Sequence, residues 1–230
     1  MPDAVMLFAA GFGTRMGALT ADRPKPLIEV AGRPLLDHAL EIARGPRPAR
    51  IVANAHYRAG QIAAHLADTE VRVSHEPEAI LDTGGGLRAA LPLLAADPVF
   101  TLNTDAVWQG PNPLSLLRAA WDGARMEALL LCLPPEDALG HAGAGDFAIG
   151  AGGQAVRGPG AVYSGAQIIA TGALAEVPER VFSLNRVWDG MIARGTLYAM
   201  LYPGRWCDVG RPEGIALAEA LLAEGHDVRA

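Results

Sequence analysis

Half of the 230 residues in the chain are hydrophobic, and the formal net charge is -6. This length and composition fit one α/β domain with a full hydrophobic core, and the negative charge argues against a nucleic-acid-binding protein, whose surface is usually basic. No apolar run approaches the roughly 20 residues that a membrane-spanning helix needs, and no basic segment precedes the first apolar strand, so we expect a cytoplasmic protein that binds no membrane.

The first half of the chain alternates strand and helix patterns. The predicted strands cover residues 4–9, 50–54, 71–74, 99–103 and 127–133. The predicted helices cover residues 35–44, 61–66, 87–94 and 113–121. The third of these helices could begin within the glycines at 84–86. Strands that alternate with helices at this spacing indicate an α/β fold, with a Rossmann-like, mostly parallel sheet flanked by helices.

The second half of the chain is less regular. Residues 147–149 and 155–157 are predicted to form a small hairpin. Strands are predicted at residues 162–170 and 196–201, and helices at residues 184–194 and 212–223. We therefore expect a single domain over residues 1–230. Its first part, residues 1–133, would bind a nucleotide, and a smaller mixed-strand part, residues 134–230, would lean over it.

Residues 9–27 form a glycine-rich loop directly after the first strand. The loop carries Arg15, and a lysine flanked by prolines, Lys25, follows it. Glycines let backbone N–H groups approach an anion closely, and two fixed cations beside such N–H groups suit a triphosphate.

Three other interpretations of this loop fit less well. A P-loop needs a Gly-Lys pair, which is absent, and a dinucleotide fingerprint needs its third glycine one residue before Gly17. A plain strand-to-loop turn remains an alternative, but it gives no reason for the two cations.

Residues 11–16 (Gly-Phe-Gly-Thr-Arg-Met) and 24–27 (Pro-Lys-Pro-Leu) together resemble the sugar-1-phosphate nucleotidyltransferases. The resemblance implies a nucleotidyltransferase fold of the GT-A-like type. It also implies two small-molecule partners, a nucleoside triphosphate and a sugar 1-phosphate, which react to give a nucleoside-diphosphate sugar and pyrophosphate. We expect a monomer or a small homo-oligomer.

The same resemblance assigns roles to individual residues. It gives catalytic roles to Arg15, Lys25 and Asp105. It places nucleotide contacts at these positions: Ala10, Gly11, Gly13, Thr14, Arg15, Lys25, Thr83, Gly84 and Asn103. For Thr83 and Gly84, a simple helix start is an alternative that is compatible with a nucleotide contact.

Two aspartates match the acidic positions of this family. Asp105 follows the buried strand at 99–103, and Asp208 lies in the segment 206–210 (Trp-Cys-Asp-Val-Gly). Either aspartate alone could be a turn residue. Because both occur in the expected frame, the resemblance implies a Mg²⁺ site at Asp105 and Asp208, and carboxylate oxygens are ligands that suit Mg²⁺.

The sugar contacts implied by the resemblance lie in the second half, at Asp146, Ser164 and Gly165. A buried glycine in a strand is as often a packing feature, so this alternative stays open for Gly165.

Residues 83–86 (Thr-Gly-Gly-Gly), residues 145–147 (Gly-Asp-Phe) and the short length of the chain add a narrower resemblance. Within the family, they resemble the short bacterial N-acetylmuramate-1-phosphate uridylyltransferases of cell-wall recycling, which would make UTP the nucleotide. Another specificity, such as that of a mannose-1-phosphate guanylyltransferase or a cytidylyltransferase, is an alternative. A third hypothesis, from a different class of protein, is a nucleotide-sugar sensor without catalysis. The presence of Lys25, Asp105 and Asp208 favours an enzyme.

Overall fold

The computed structural model describes residues 1–224. Its first ten helices and strands, in chain order, are β1 (Ala4–Phe8), β2 (Glu29–Val30), β3 (Arg33–Pro34), α1 (Leu35–Arg44), β4 (Arg50–Ala55), α2 (Ala59–Leu66), β5 (Arg72–His75), α3 (Asp82–Leu94), β6 (Val99–Asn103) and β7 (Ala106–Gln109). The chain continues with α4 (Pro113–Ala120), β8 (Ala128–Leu133), β9 (Ala138–Leu139), β10 (Phe147–Ile149), β11 (Ala155–Arg157), β12 (Val162–Ile169), α5 (Leu184–Arg194), β13 (Leu197–Leu201), β14 (Arg205–Asp208) and α6 (Glu213–Ala223).

A seven-stranded sheet in the order β13-β8-β12-β6-β1-β4-β5 forms the centre of the molecule. β12 runs antiparallel to both of its neighbours, whereas the remaining neighbouring strands are parallel. The predicted mostly parallel sheet flanked by helices is therefore confirmed. Since β12 and β13 belong to the same sheet as β1, both halves of the chain contribute to one sheet.

The sheet is buried on both faces, which explains its long apolar runs. Along β1, Val5 and Leu7 pack on the face covered by α1, α2 and α4, whereas Met6 packs on the face covered by α3 and α5. This alternation follows from the two-residue period of a strand. Among residues 1–224, no helix combines the length and the apolar character that crossing a bilayer requires.

The predicted bounds of α1, β6, α5 and the β10–β11 hairpin agree with the structure. The prediction missed the small sheet β7-β14-β9 and the two-residue pair β2-β3. Such short strands carry too few residues for an alternating pattern to be recognised.

The start of α3 differs most from the prediction, because the helix begins at Asp82 and includes the glycines that precede the apolar pattern. The backbone N–H groups of Gly84 and Gly85 both donate to the carbonyl oxygen of Phe182, at 2.9 and 3.0 Å. A Cβ atom on Gly85 would lie 2.4 Å from the carbonyl oxygen of Arg180. The glycines therefore allow the segment before α5 to lie directly against α3.

This close approach makes a prediction about stability. Gly85→Ala should lower the free energy of unfolding by about 1–3 kcal/mol, as overpacking usually does, although alanine has the higher helix propensity. Gly60→Ala in α2 is the matched control, because a Cβ atom there meets nothing within 4 Å. We expect Gly60→Ala to be unchanged or up to about 1 kcal/mol more stable. Urea unfolding measures both variants, and equal stability of the two would contradict the packing argument.

Candidate active site

A cavity of about 230 Å³ opens at the carboxyl ends of β1 and β6. In open α/β sheets this edge is where ligands bind. The loop after β1, the turn at Lys25 and the residues that follow β6 form its walls. The predicted site residues among its lining are Ala10, Gly11, Lys25, Thr83, Asn103 and Asp105.

The glycine-rich loop packs tightly onto the turn that carries Lys25. Gly13 has a φ of 65°, and a Cβ atom there would lie 2.8 Å from the Cβ atom of Lys25. The Thr20 hydroxyl lies 3.2 Å from the carbonyl oxygen of Gly13 and 3.1 Å from that of Gly17, and it donates to this pair of acceptors. Thr14 and Arg15, just after Gly13, are exposed. The loop is therefore held by local contacts while its outer residues face solvent.

Lys25 is buried, and its ammonium group pairs with the carboxylate of Asp105. The residue is 8% exposed, and its Nζ atom lies 2.7 Å from Asp105 Oδ2. Pro24 and Pro26 flank it, which restricts the backbone of this single turn. Because an unpaired buried ammonium group is costly, the carboxylate of Asp105 holds the lysine at the end of β6.

Strand pairing brings the second aspartate to the first. Asp208, the last residue of β14, lies opposite Ala106 in the antiparallel pair with β7. The N–H group of Val209 donates to the carbonyl oxygen of Asp105 at 2.8 Å. The predicted pair of carboxylates, far apart in sequence, is thus brought together by the small sheet that the sequence did not predict.

The electrostatic surroundings of Asp208 are unfavourable for its negative charge. Burial raises the pKa of Asp208 above its ordinary value, and the negative charge of Asp105 raises it further. Three cations act in the opposite direction on this pKa: Lys25, Arg15 and His141. A cation bound between the carboxylates would relieve their repulsion.

The donor set agrees with the chemistry of Mg²⁺, which is commonly bound by one or two carboxylates together with substrate phosphates. Within residues 1–224, no group of three or more His, Cys, Asp or Glu side chains is arranged to hold a metal ion. Asp105 and Asp208 supply two carboxylates of the kind that Mg²⁺ accepts, and the metal site stays a prediction.

Arg15 lies close to Asp208. A Cβ atom on Gly210 would lie 2.6 Å from Asp208 Oδ2 and 3.1 Å from Arg15 Nη2. The absence of a side chain at Gly210 therefore lets the guanidinium group and the carboxylate share this corner. Arg15 lines the surface beyond it together with Arg211.

A buried polar network that the sequence analysis missed supports the loop after β1. Asn54 Oδ1 accepts from the N–H group of Ala9 at 2.8 Å, and Asn54 Nδ2 donates to Glu76 Oε1 at 2.7 Å. The N–H group of Leu81 donates to Glu76 Oε2 at 2.8 Å. Asn54 is 3% exposed and Glu76 is 2% exposed. The one signal of this network in the sequence is Asn54, a polar residue within the apolar run of β4. The sequence does not show which residues Asn54 contacts.

Thr83 and Gly84 have different positions at the start of α3. Thr83 lines the cavity, and its Oγ1 atom accepts from the N–H group of Leu184 at 3.0 Å. Gly84 is buried and lines neither this cavity nor the one described next, and a Cβ atom there would lie 2.4 Å from the Phe182 ring. Packing accounts for Gly84, and its contact with a nucleotide stays a prediction.

A second cavity, of about 260 Å³, adjoins the first. The two share four lining residues: Phe8, Asp82, Thr83 and Asn103. Asp146, a predicted sugar contact, lines the second cavity and accepts the N–H group of Tyr163 at 2.8 Å. Arg157 and Trp188 line it as well, and no motif had drawn attention to Arg157.

The structure does not bring Ser164 and Gly165 to the lining of either cavity. The Ser164 hydroxyl is buried and donates to the carbonyl oxygen of Leu131 at 2.6 Å. Gly165 has a φ of 86°, and a Cβ atom there would lie 2.7 Å from the Cβ atom of Asn103. Both residues lie where the register of β12 shifts, so they shape the sheet beneath Asn103, and their sugar contacts stay predictions.

The glycine-rich loop and the acidic pair at the carboxyl edge of the sheet define a nucleotide-transfer type of site. In agreement, a family model described as the MobA-like NTP transferase domain matches residues 5–142. Because this match covers more than half of the chain, the protein belongs to the MobA-like NTP transferase family.

The relatives narrow the class to sugar-1-phosphate nucleotidyltransferases, as predicted. The N-acetylmuramate alpha-1-phosphate uridylyltransferase of Caulobacter vibrioides is 37% identical, covering 97% of this chain and 98% of the relative. The catalytic subunit beta of mannose-1-phosphate guanylyltransferase from Drosophila melanogaster is 36% identical over a segment that covers 46% of this chain and 31% of that relative. The structure of the inositol-1-phosphate CTP transferase from T. maritima, at 14% identity, superposes with a TM-score of 0.78 over 100% of this chain and 98% of that one, which shows a shared fold.

Proposed function

We propose that this chain transfers a uridylyl group from UTP to N-acetylmuramate 1-phosphate, with Mg²⁺ as the cofactor. The observation that carries the proposal is the grouping of Lys25, Asp105 and Asp208 beside the glycine-rich loop. The near full-length similarity to the Caulobacter vibrioides enzyme supports the choice of substrates. Both substrates are cytoplasmic metabolites in this proposal, and no membrane or nucleic acid takes part.

The reaction joins two polyanions. A phosphate oxygen of the sugar 1-phosphate attacks the α-phosphorus of the triphosphate, and the bond from that phosphorus to the oxygen of the β-phosphate breaks, which releases pyrophosphate. A phosphate oxygen is already nucleophilic at neutral pH, so the chain needs no general base. Catalysis then depends on positioning and on the stabilisation of charge.

Each cation of the site has a separate task in this scheme. The ammonium group of Lys25, held by Asp105 in the free protein, would stabilise the charge that develops on the α-phosphate. Arg15, which is exposed beside Asp208, would bind the β- and γ-phosphates that leave as pyrophosphate. The backbone at Ala10, Gly11 and Gly13 would hold the triphosphate.

Asp105 and Asp208 would hold Mg²⁺. Mg²⁺ bound there would supply positive charge that neutralises part of the phosphate charge of the substrates. The carboxylates' own contribution is their position: β6 and β14 hold them next to each other before any substrate arrives.

A guanylyltransferase acting on mannose 1-phosphate is the second candidate, because the Drosophila melanogaster subunit shares 36% identity with 46% of this chain. Substrate preference decides between them.

A substrate matrix tests the proposal. Four nucleoside triphosphates are each combined with N-acetylmuramate, N-acetylglucosamine, glucose and mannose 1-phosphates, and pyrophosphate release is measured. We expect the highest kcat/KM for UTP with N-acetylmuramate 1-phosphate. Preference for GTP with mannose 1-phosphate would overturn the choice of substrates, and no release from any pair would favour a sensor.

Lys25→Met tests the assignment of the catalytic cation. The variant keeps the aliphatic stem and removes the charge, so we expect kcat/KM to fall about 100- to 1,000-fold, as for other lost transition-state contacts. Arg23→Met is the matched control, because Arg23 is an exposed cation of the same loop that pairs only with Asp22, at 3.4 Å, among the described residues. It should keep near-normal turnover. Thermal unfolding checks that both variants fold, and a normal kcat in Lys25→Met would contradict the assignment.

Metal removal tests the cofactor. We expect excess EDTA to stop pyrophosphate release and excess Mg²⁺ to restore it. Asp208→Asn should need a higher Mg²⁺ concentration for half-maximal turnover, because one carboxylate ligand is lost. Full turnover in excess EDTA would rule out the proposed site.

A further inference from the structure

Arg157 lies in the second cavity, away from the residues proposed for phosphate chemistry. It lines only the second cavity, whereas Lys25 and Asp105 line only the first. Among the described residues that line the second cavity, Arg157 is the one basic side chain, and Asp82 and Asp146 are acidic. A cavity for a neutral sugar needs hydroxyl-binding groups such as carboxylates and amides. Arg157 adds a positive charge and a planar set of N–H donors, which match a carboxylate.

The guanidinium group is held in a defined orientation. Its Nε and Nη2 atoms both donate to Asp189 Oδ1 at 3.0 Å, and Nη2 also donates to Asn185 Oδ1 at 2.8 Å. The Cζ atom of Arg157 lies over the Phe147 ring, 4.9 Å from the centroid of that ring, and 5.6 Å from the centroid of the Trp188 ring. Among residues 1–224, Nη1 makes no hydrogen bond, so its two N–H donors are available to a ligand.

We propose that Arg157 binds a carboxylate on the sugar substrate and thereby selects an acidic sugar 1-phosphate over its neutral counterpart. This inference rests on the proposed function, since it concerns the second substrate of the same site. N-acetylmuramate differs from N-acetylglucosamine by a lactyl ether that carries a carboxylate, while the ring and its acetamido group are the same. The two 1-phosphates therefore isolate the contribution of the carboxylate.

The position of Arg157 argues against the sugar's phosphate as its partner. That phosphate must reach the α-phosphate of the nucleotide, whose proposed partners Lys25 and Asp105 lie in the first cavity. Asn103 and Thr83 line both cavities and mark the boundary between them. A sugar ring that crosses this boundary would place its far side, with the ether substituent, towards Arg157.

The test compares Arg157→Gln with the wild type on both sugar 1-phosphates, with UTP. We expect kcat/KM for N-acetylmuramate 1-phosphate to fall about tenfold to a hundredfold, the range for loss of a hydrogen bond to a charged group. The fall should lie mainly in KM, and kcat/KM for N-acetylglucosamine 1-phosphate should change less than about twofold. Arg157→Lys keeps the charge but lacks the planar guanidinium group. Its kcat/KM for N-acetylmuramate 1-phosphate should lie between those of the wild type and Arg157→Gln.

Arg186→Gln is the matched control, because Arg186 lies on α5, the helix that carries Asn185 and Asp189, the partners of Arg157, but it pairs with Glu179 at 2.6 Å and lines neither cavity. It should leave both substrates unaffected. Equal losses of Arg157→Gln on both substrates would mean a structural or phosphate-binding role and would overturn the inference. No change on either substrate would overturn it too.

Calorimetry separates this inference from the proposed function, because it needs no turnover. The wild type should bind UDP-N-acetylmuramate more tightly than UDP-N-acetylglucosamine, and Arg157→Gln should lose that difference. If no substrate pair reacts but the difference is present and lost in the variant, the proposed function fails and the inference stands. If the wild type binds both nucleotide sugars equally, or the variant keeps the difference, the inference fails.

Discussion

The ion pair between Lys25 and Asp105 is the contact on which the site depends. Lys25 is 8% exposed, so its ammonium group needs an anionic partner. Asp105, two residues after the end of β6, supplies it at 2.7 Å. The pair thus draws the turn after the glycine-rich loop over the edge of the sheet. Because β14 pairs with β7, Asp208 arrives at the same edge. The ion pair and the strand pairing together place the loop, the cation and both carboxylates within one small region.

The site holds opposing charges close together before any substrate is present. Burial and the charge of Asp105 raise the pKa of Asp208, while neighbouring cations lower it. Carboxylates and cations therefore share this small region, which is where we propose that the phosphates and Mg²⁺ bind. The second cavity has another character, with aromatic rings and the oriented guanidinium group of Arg157. The proposed phosphate chemistry and the proposed sugar selection thus use different residues, in two cavities that meet at Asn103 and Thr83.

Prediction from the sequence succeeded where a local pattern was complete. The apolar periodicity of α1 and α5 and the alternating burial along β1 depend only on residues close in the chain. It failed for β7 and β14, which are too short to show a pattern. It left the start of α3 open, because three glycines precede the apolar pattern of that helix. It also failed for the Asn54–Glu76 network, whose members come from separate elements and become partners only when β4 and β5 pair. Ser164 matched a motif, but its hydroxyl turned towards Leu131.

The sequence by itself determined the class of fold, the family and the residue types at the phosphate site, because periodicity and spaced motifs are properties of neighbouring residues. Only the tertiary structure decided which of those residues share a cavity. Strand register made Asp105 and Asp208 a pair, and the approach of Phe182 made Gly84 a packing residue. The β10–β11 hairpin brought Arg157 to the second cavity. These outcomes depend on contacts between distant segments, for which a single sequence carries no local signal.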